Sequence, residues 1–303
     1  MEAIEKAYYK VKFENVFLTY IGNEFQAFFN NIMRANDPYF HIPTRTWGQS
    51  GDQKCDGYNL KTGAFFQIYA PDDMVATTAI SKMKEDFDGA FEKWGKDIKT
   101  WVFVHNAKHD SLATHIIHQL IEFKKNHPDI VFCQMGKKEI GNILFQLNEN
   151  EIKNILGSTP TNEDIKNLNM EAIQRVIDNI ARSPIPQIEE ILPVSQKKLD
   201  ANDLSDSVKL LLETGMKKSG LISSFFAQWH DPSLGEKVAA EMNNMYKSIV
   251  IETRTPDEVY YKLYQMLDEN TDDGKKTENM IAILTLLSYF FQTCDIFEHP
   301  RES

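Results

Sequence analysis

The chain has 303 residues, 42% hydrophobic and 25% charged, which excludes disordered, collagen-like and disulfide-scaffold proteins and leaves room for two globular domains. Its 33 Lys and Arg against 44 Asp and Glu give a formal net charge of −11, which at first sight opposes a protein that works on nucleic acid. Three scattered cysteines (Cys55, Cys133, Cys294) without a C-x-x-C pair exclude a disulfide framework and a zinc knuckle, and fit a reducing, cytoplasmic setting. The first fifteen residues are charged throughout, so no signal peptide is expected. The longest apolar run, 280–291, falls short of the roughly 20 residues that span a bilayer.

Phe17, Ile21, Phe25, Phe28, Phe29 and Ile32 recur at helical spacing and predict one amphipathic helix over 16–33, stopped by Asp37-Pro38. Strand-like runs at 39–43, 54–59 and 64–70, the last two joined by Leu60-Lys61-Thr62-Gly63, predict a β-meander. Beyond Pro71 come a helix over 78–94, a buried strand over 100–105, a helix over 111–126, a strand over 130–135 and a helix from 137. That alternation indicates a mixed α/β sheet flanked by helices. After Gly157-Ser158-Thr159-Pro160 strand signals cease. A Pro-containing stretch, 183–193, reads as a linker or extended arm, followed by helices over 205–214, 219–229, 234–252, 256–269 and 276–294. The expected organisation is an α/β domain (1–156), a linker with a helix and the Pro-containing arm (157–204), and an all-α domain (205–303).

The charge divides unevenly. Residues 1–156 carry 18 basic and 20 acidic groups, residues 157–303 carry 15 and 24. The helical half holds most of the acidity, and the α/β half is near neutral.

One constellation carries chemistry: Gly51-Asp52-Gln53-Lys54-Cys55-Asp56-Gly57, followed after the turn by Phe65-Phe66-Gln67-Ile68-Tyr69. In extended backbone side chains alternate faces, so Asp52, Lys54 and Asp56 would project together, and Gln67 and Tyr69 would share a face of the next strand. Magnesium takes one or two carboxylates plus waters and substrate phosphates, and an adjacent lysine can orient the attacking water. Such a group suits phosphodiester hydrolysis. The plain reading of the same residues is a solvated hairpin turn, and the F-F-Q-I-Y strand that follows is what favours a metal site.

The order helix, strand, G-D-x-x-x-D-G hairpin strand and apolar strand ending in Q-x-(K) resembles the PD-(D/E)xK restriction-endonuclease fold, most closely its Mrr-like branch, over about residues 14–150. The resemblance implies that Asp56 binds metal, with Gln67 in place of the acid of the (D/E)xK half-motif and the main-chain carbonyl of Ile68 beside it. It implies Mg²⁺ or Mn²⁺ as cofactor and double-stranded DNA as substrate. Tyr69 stands where the lysine is expected; lysine migration is known in this fold, and Lys54 is the replacement. Glu24 matches the glutamate that the first helix often contributes, and Asp52 assists. Lys82 and Lys84, on the helix after the Gln67 strand, would meet DNA phosphates.

The wider pattern, including Lys82-Met83-Lys84-Glu85-Asp86-Phe87-Asp88-Gly89, Trp94, Trp101-Val102-Phe103-Val104-His105-Asn106 and the ending Leu286 to Glu298, is similar to effectors of bacterial ABC-three-component defence systems, of which Lamassu is one type. This implies a helical domain that docks an SMC-like ABC ATPase and a small third subunit, with homo-oligomerisation on activation. Other constellations give less. His109-Asp110 follows a strand and fits helix capping better than a phosphohydrolase dyad, and His115 and His118 lack a third zinc ligand. No G-x-x-x-x-G-K-[ST] occurs, so nucleotide hydrolysis would belong to a partner. The apolar helix 281–291 reads as core or as a subunit interface. Competing functions are a stand-alone Mrr-like restriction enzyme, a decayed effector that binds DNA without cutting it, and a scaffold.

Overall fold

Buried Ile4, Ala7, Tyr8, Val11 and Phe17 place one apolar face on a first helix that the sequence reading did not separate. The computed structural model describes residues 1–42, 54–107, 112–180, 202–253, 255–268, 276–293 and 296–297. In place of one helix over 16–33 there are two, α1 (Ala3–Thr19) and α2 (Gly22–Asn36). The chain turns between them because Gly22 adopts φ +48° and its N–H donates to Ala70 O at 2.7 Å. Asn106 fixes the same corner, its Nδ2 donating to Tyr20 O and Pro71 O at 3.2 and 2.9 Å.

The meander follows as β1 (Phe40–His41), β2 (Gly57–Asn59) and β3 (Ala64–Tyr69). Then come α3 (Ala76–Trp94), β4 (Thr100–His105), α4 (Thr114–Asn126), β5 (Val131–Met135), α5 (Lys137–Leu144) and α6 (Glu149–Leu156). The five strands lie side by side in chain order, antiparallel from β1 to β3 and parallel from β3 to β5. This is the mixed sheet flanked by helices that the alternation of elements predicts. The strand expected from residue 54 begins only at Gly57, because Lys54 takes φ +58° and the chain there is a turn.

Side-chain alternation gives each sheet face its own core. Phe66 packs with Phe29 of α2 and with Phe40, at ring separations of 5.8 and 5.5 Å. On the opposite face the pairing register aligns His41, Tyr58, Phe65, Trp101 and Phe132 in one aromatic row across all five strands. Phe87 of α3 and Phe123 of α4 press on the Trp101 and Phe132 end of that row.

Contacts divide the chain into Val16–Gly157 and a second unit made of Met1–Asn15 with Ser158–Ser303. The first fifteen residues therefore group with the helices rather than with the sheet, which differs from the boundaries drawn along the sequence. The second unit contains α7 (Asn162–Lys166), α8 (Met170–Ile180), α9 (Asp206–Met216), α10 (Ser219–Gln228), α11 (Leu234–Glu252), α12 (Pro256–Asp268) and α13 (Lys276–Thr293). No strand occurs here among the described residues, and the Pro-containing arm lies outside them. Ile281, Ile283, Leu284, Leu287, Phe290 and Phe291 of α13 are each at most 2% exposed, so this helix is the core of its unit. No helix among the described residues is long and apolar enough to cross a membrane.

Gly215 of α9 shows how closely the helices approach. A Cβ there would lie 2.8 Å from Leu284 O and collide with the Ser288 side chain of α13. Gly215→Ala should lower unfolding stability by about 1–3 kcal/mol through overpacking, although alanine exceeds glycine in helix propensity by about 1 kcal/mol. Urea denaturation measures this, and an unchanged or raised midpoint would show that α9 and α13 separate freely.

Candidate metal and phosphodiester site

The site grows from the end of β3. Antiparallel pairing brings the start of β2 to this end, and Asp56 N donates to Phe66 O at 3.0 Å. The Asp56 carboxylate then accepts from Ile68 N at Oδ2, 2.8 Å, and from Gln26 Nε2 at Oδ1, 3.0 Å. Gln26 reaches it because the Gly22–Ala70 bond sets the first turns of α2 beside the end of β3.

Gln26, not the expected Glu24, is the α2 side chain hydrogen-bonded to Asp56. The two flank the buried stripe of Phe25, Phe28, Phe29 and Ile32 on opposite sides, about 200° apart around the helix. Glu24 is exposed, whereas Gln26 touches Asp56. The available signal was its place next to Phe25 and Phe29, on the flank that meets the sheet.

Gln67 is 9% exposed, and its Oε1 is buried without a hydrogen-bond partner among the described residues. An orphaned amide oxygen costs about 1–3 kcal/mol unless a donor or cation meets it. One carboxylate, one orphaned amide oxygen and a nearby main-chain carbonyl, that of Ile68, match the oxygen-only donor chemistry of magnesium or manganese, which fill their remaining positions with water and substrate phosphate. Among the described residues no three His, Cys, Asp or Glu side chains converge as a metal cluster. Asp52 lies outside the described residues, as does the His109-Asp110 pair.

Lys54 sits apart from the expected arrangement. Its ammonium pairs with Glu85 and, at 3.2 Å, with Asp86, both on α3, while Lys82 meets the same Asp86 at 3.1 Å and Glu85 at 3.4 Å. Alternation does not carry Lys54 to the face of Asp56, because the residues between them are not a strand. The Asp86 side chain is 3% exposed, and two ammonium groups compensate its buried charge. The Glu85 hydrogen bond raises the Lys54 pKa, and Lys54 in turn lowers that of Glu85. Lys82 is thus committed to α3, and Lys84 is exposed.

Tyr69, in the position of the expected lysine, stacks on Phe103 at 6.1 Å. Next to it across the parallel pair is His105, 1% exposed, whose Nδ1 accepts from Ala107 N at 3.2 Å, so that Nε2–H donates to Gln134 Oε1 at 2.7 Å. Burial lowers the His105 pKa, against smaller opposing effects of Gln134 and Glu139. A depressed folded pKa gives stability that is complete above the unfolded value near 6.5 and is lost as pH falls through the folded value. Acid unfolding should therefore carry a histidine component below about pH 6.5, absent in His105→Gln. An NMR titration should show neutral His105 with its proton on Nε2 at pH 7, and a charged ring at that pH would contradict the assignment.

Residues 171–298 match the family model of C-terminal domain 10 of the ABC-three component (ABC-3C) systems. The match lies within the helical unit, from α8 through α13, and supports membership in such a system. No curated protein and no solved structure matched the chain.

Proposed function

We propose that the chain is a metal-dependent DNA endonuclease subunit of an antiphage ABC-three-component assembly of Lamassu type. The sheet-bearing unit would cut DNA, and the helical unit would dock an SMC-like ATPase and a small third subunit. The observation that carries the nuclease reading is the Asp56 carboxylate fastened to β3 at Ile68 N, at the end of the strand where Gln67 keeps an orphaned amide oxygen. The element order, one helix, three antiparallel strands, a helix and a parallel strand, agrees with the restriction-endonuclease resemblance. The domain match supports the defence setting.

Asp56, Gln67 and the Ile68 carbonyl would hold Mg²⁺ or Mn²⁺. The ion supplies Lewis acidity for the scissile phosphate and a water of lowered pKa. Gln26 and Ile68 N keep the Asp56 carboxylate from rotating. Lys54, withdrawn by Glu85 and Asp86, would reach a substrate phosphate only by leaving them. Such restraint suits an effector that must stay silent until partners or oligomerisation activate it.

The experiment is cleavage of supercoiled plasmid by the purified chain, alone and with its assembly partners, in Mg²⁺ or in EDTA. Magnesium-dependent nicking or linearisation is expected, weak for the chain alone because the acidic helical half repels DNA. Equal cleavage in EDTA would remove the metal from the account. The engagement of Lys54 by α3 and the tyrosine at position 69 favour one second reading, a subunit that binds DNA without cutting it. Binding without cleavage in the full assembly would establish that reading.

A further inference from the structure

The aromatic row on the sheet is covered at its centre and emerges into solvent at one end. Phe65 and Trp101 are 5% and 1% exposed under the helices, Tyr58 is half-buried, and His41 on the edge strand is exposed. The rings that emerge lie nearly parallel: His41 and Tyr58 stack at 5.7 Å and 28°, Tyr58 and Phe65 at 6.1 Å and 26°, and Trp94 tilts against Tyr58 at 6.0 Å. Beside them Tyr39 is 48% exposed, with the Lys61 ammonium 5.4 Å from its ring centre. Rings needed only for packing would be covered as Phe65 and Trp101 are.

We infer that this shelf, formed by His41, Tyr58 and Trp94 with Tyr39 beside them, binds an unpaired nucleobase of the substrate strand. Three observations select this occupant. Rings of low mutual tilt offer flat faces, and every base has a face to stack on them. Exposed lysines accompany the shelf along the chain, Lys61 on the turn after β2, Lys93 next to Trp94, and Lys96 and Lys99 between α3 and β4, against Glu92 and Asp97; Asp37 is already taken up by Asn59 and the Tyr39 N–H. The row also lies next to Gln67 on the same sheet face, since Phe65 and Gln67 are alternate residues of β3, and Tyr58 is only two residues from Asp56. A base on the shelf would leave its own phosphate within reach of the Asp56 end.

The inference rests on the nuclease reading for the meaning of that phosphate, but not for the binding itself. Paired bases hide their faces in the stack, so the shelf selects frayed, flapped or melted DNA over intact duplex.

The test is fluorescence anisotropy with a labelled 12-nucleotide oligothymidine and a 12-base-pair duplex, in EDTA so that nothing is cut. The wild type should prefer the single strand. His41→Ala and Tyr58→Leu should each weaken that binding by about tenfold, the order of one lost base stack. Tyr58→Phe should bind within about twofold of wild type, and its thermal unfolding, with that of Tyr58→Leu, separates ring loss from misfolding. Binding read in EDTA needs neither the metal nor cleavage, so a failed cleavage assay and a failed shelf remain distinguishable. Unchanged binding in His41→Ala and in a folded Tyr58→Leu would overturn the inference. So would a wild type that binds neither DNA, alone and with its assembly partners.

Discussion

Asp56→Asn should reduce magnesium-dependent cleavage by at least a hundredfold while leaving the fold intact. The substitution removes the carboxylate that is hydrogen-bonded to β3 at Ile68 N, and a metal's stabilisation of transition-state charge is worth several kcal/mol, at about 1.4 kcal/mol per factor of ten. The asparagine is the cleaner variant for a structural reason. Asp56 accepts from Ile68 N and from Gln26 Nε2. An asparagine oxygen can still accept from Ile68 N, and Gln26 can turn its amide to accept from the new NH₂. Asp56→Ala would leave both donors unpaired, at a stability cost of about 1–3 kcal/mol each where they are buried. Plasmid cleavage read beside the unfolding midpoint and Mn²⁺ titration separates the effects. Full cleavage by Asp56→Asn would place the metal elsewhere. Loss of cleavage with unaltered Mn²⁺ affinity would make Asp56 a positioning residue.

The largest stability effect is expected at Phe87. Its ring is fully buried and meets Phe123 at 4.8 Å, Phe132 at 5.0 Å, His127 at 5.0 Å and Trp101 at 5.7 Å. It thus joins α3, α4 and the parallel strands β4 and β5. Phe87→Ala should cost about 3–5 kcal/mol from lost transfer energy and the cavity left behind, a large part of a typical domain's stability. Denaturant unfolding should show the sheet-bearing unit losing its near-ultraviolet aromatic signal first. Phe87→Leu should recover more than half of the loss. Equal losses for alanine and leucine would point to specific ring contacts rather than to filled volume.

The strands β3, β4 and β5 and most of the helices were legible because their signals are local. Residues 101–104 are a continuous apolar run, and Leu60 to Gly63 is a turn by composition. The first helix is masked in the sequence because its tyrosines and charges dilute a periodicity that burial of Ile4, Ala7, Tyr8 and Val11 makes plain. At the site, Asp56 and Gln67 were legible as residue types, and the pairing of β2 with β3 does bring their backbones together. Lys54 and Gln26 were not, for opposite reasons. A left-handed turn at a non-glycine residue breaks the alternation used to orient Lys54. Gln26 is set by a contact between segments 30 residues apart, which depends on how α2 lies against the sheet. The aromatic row is likewise a product of register, invisible until five strands are aligned.

The grouping of Met1–Asn15 with Ser158–Ser303 bears on the order in which the molecule is made. Everything the sheet-bearing unit needs has left the ribosome once residue 157 has, whereas the helical unit waits for α13, its core, although its segment Met1–Asn15 precedes the sheet. At about 5–20 residues per second, the sheet-bearing unit has on the order of ten seconds to fold before the helical unit can close around its own first segment.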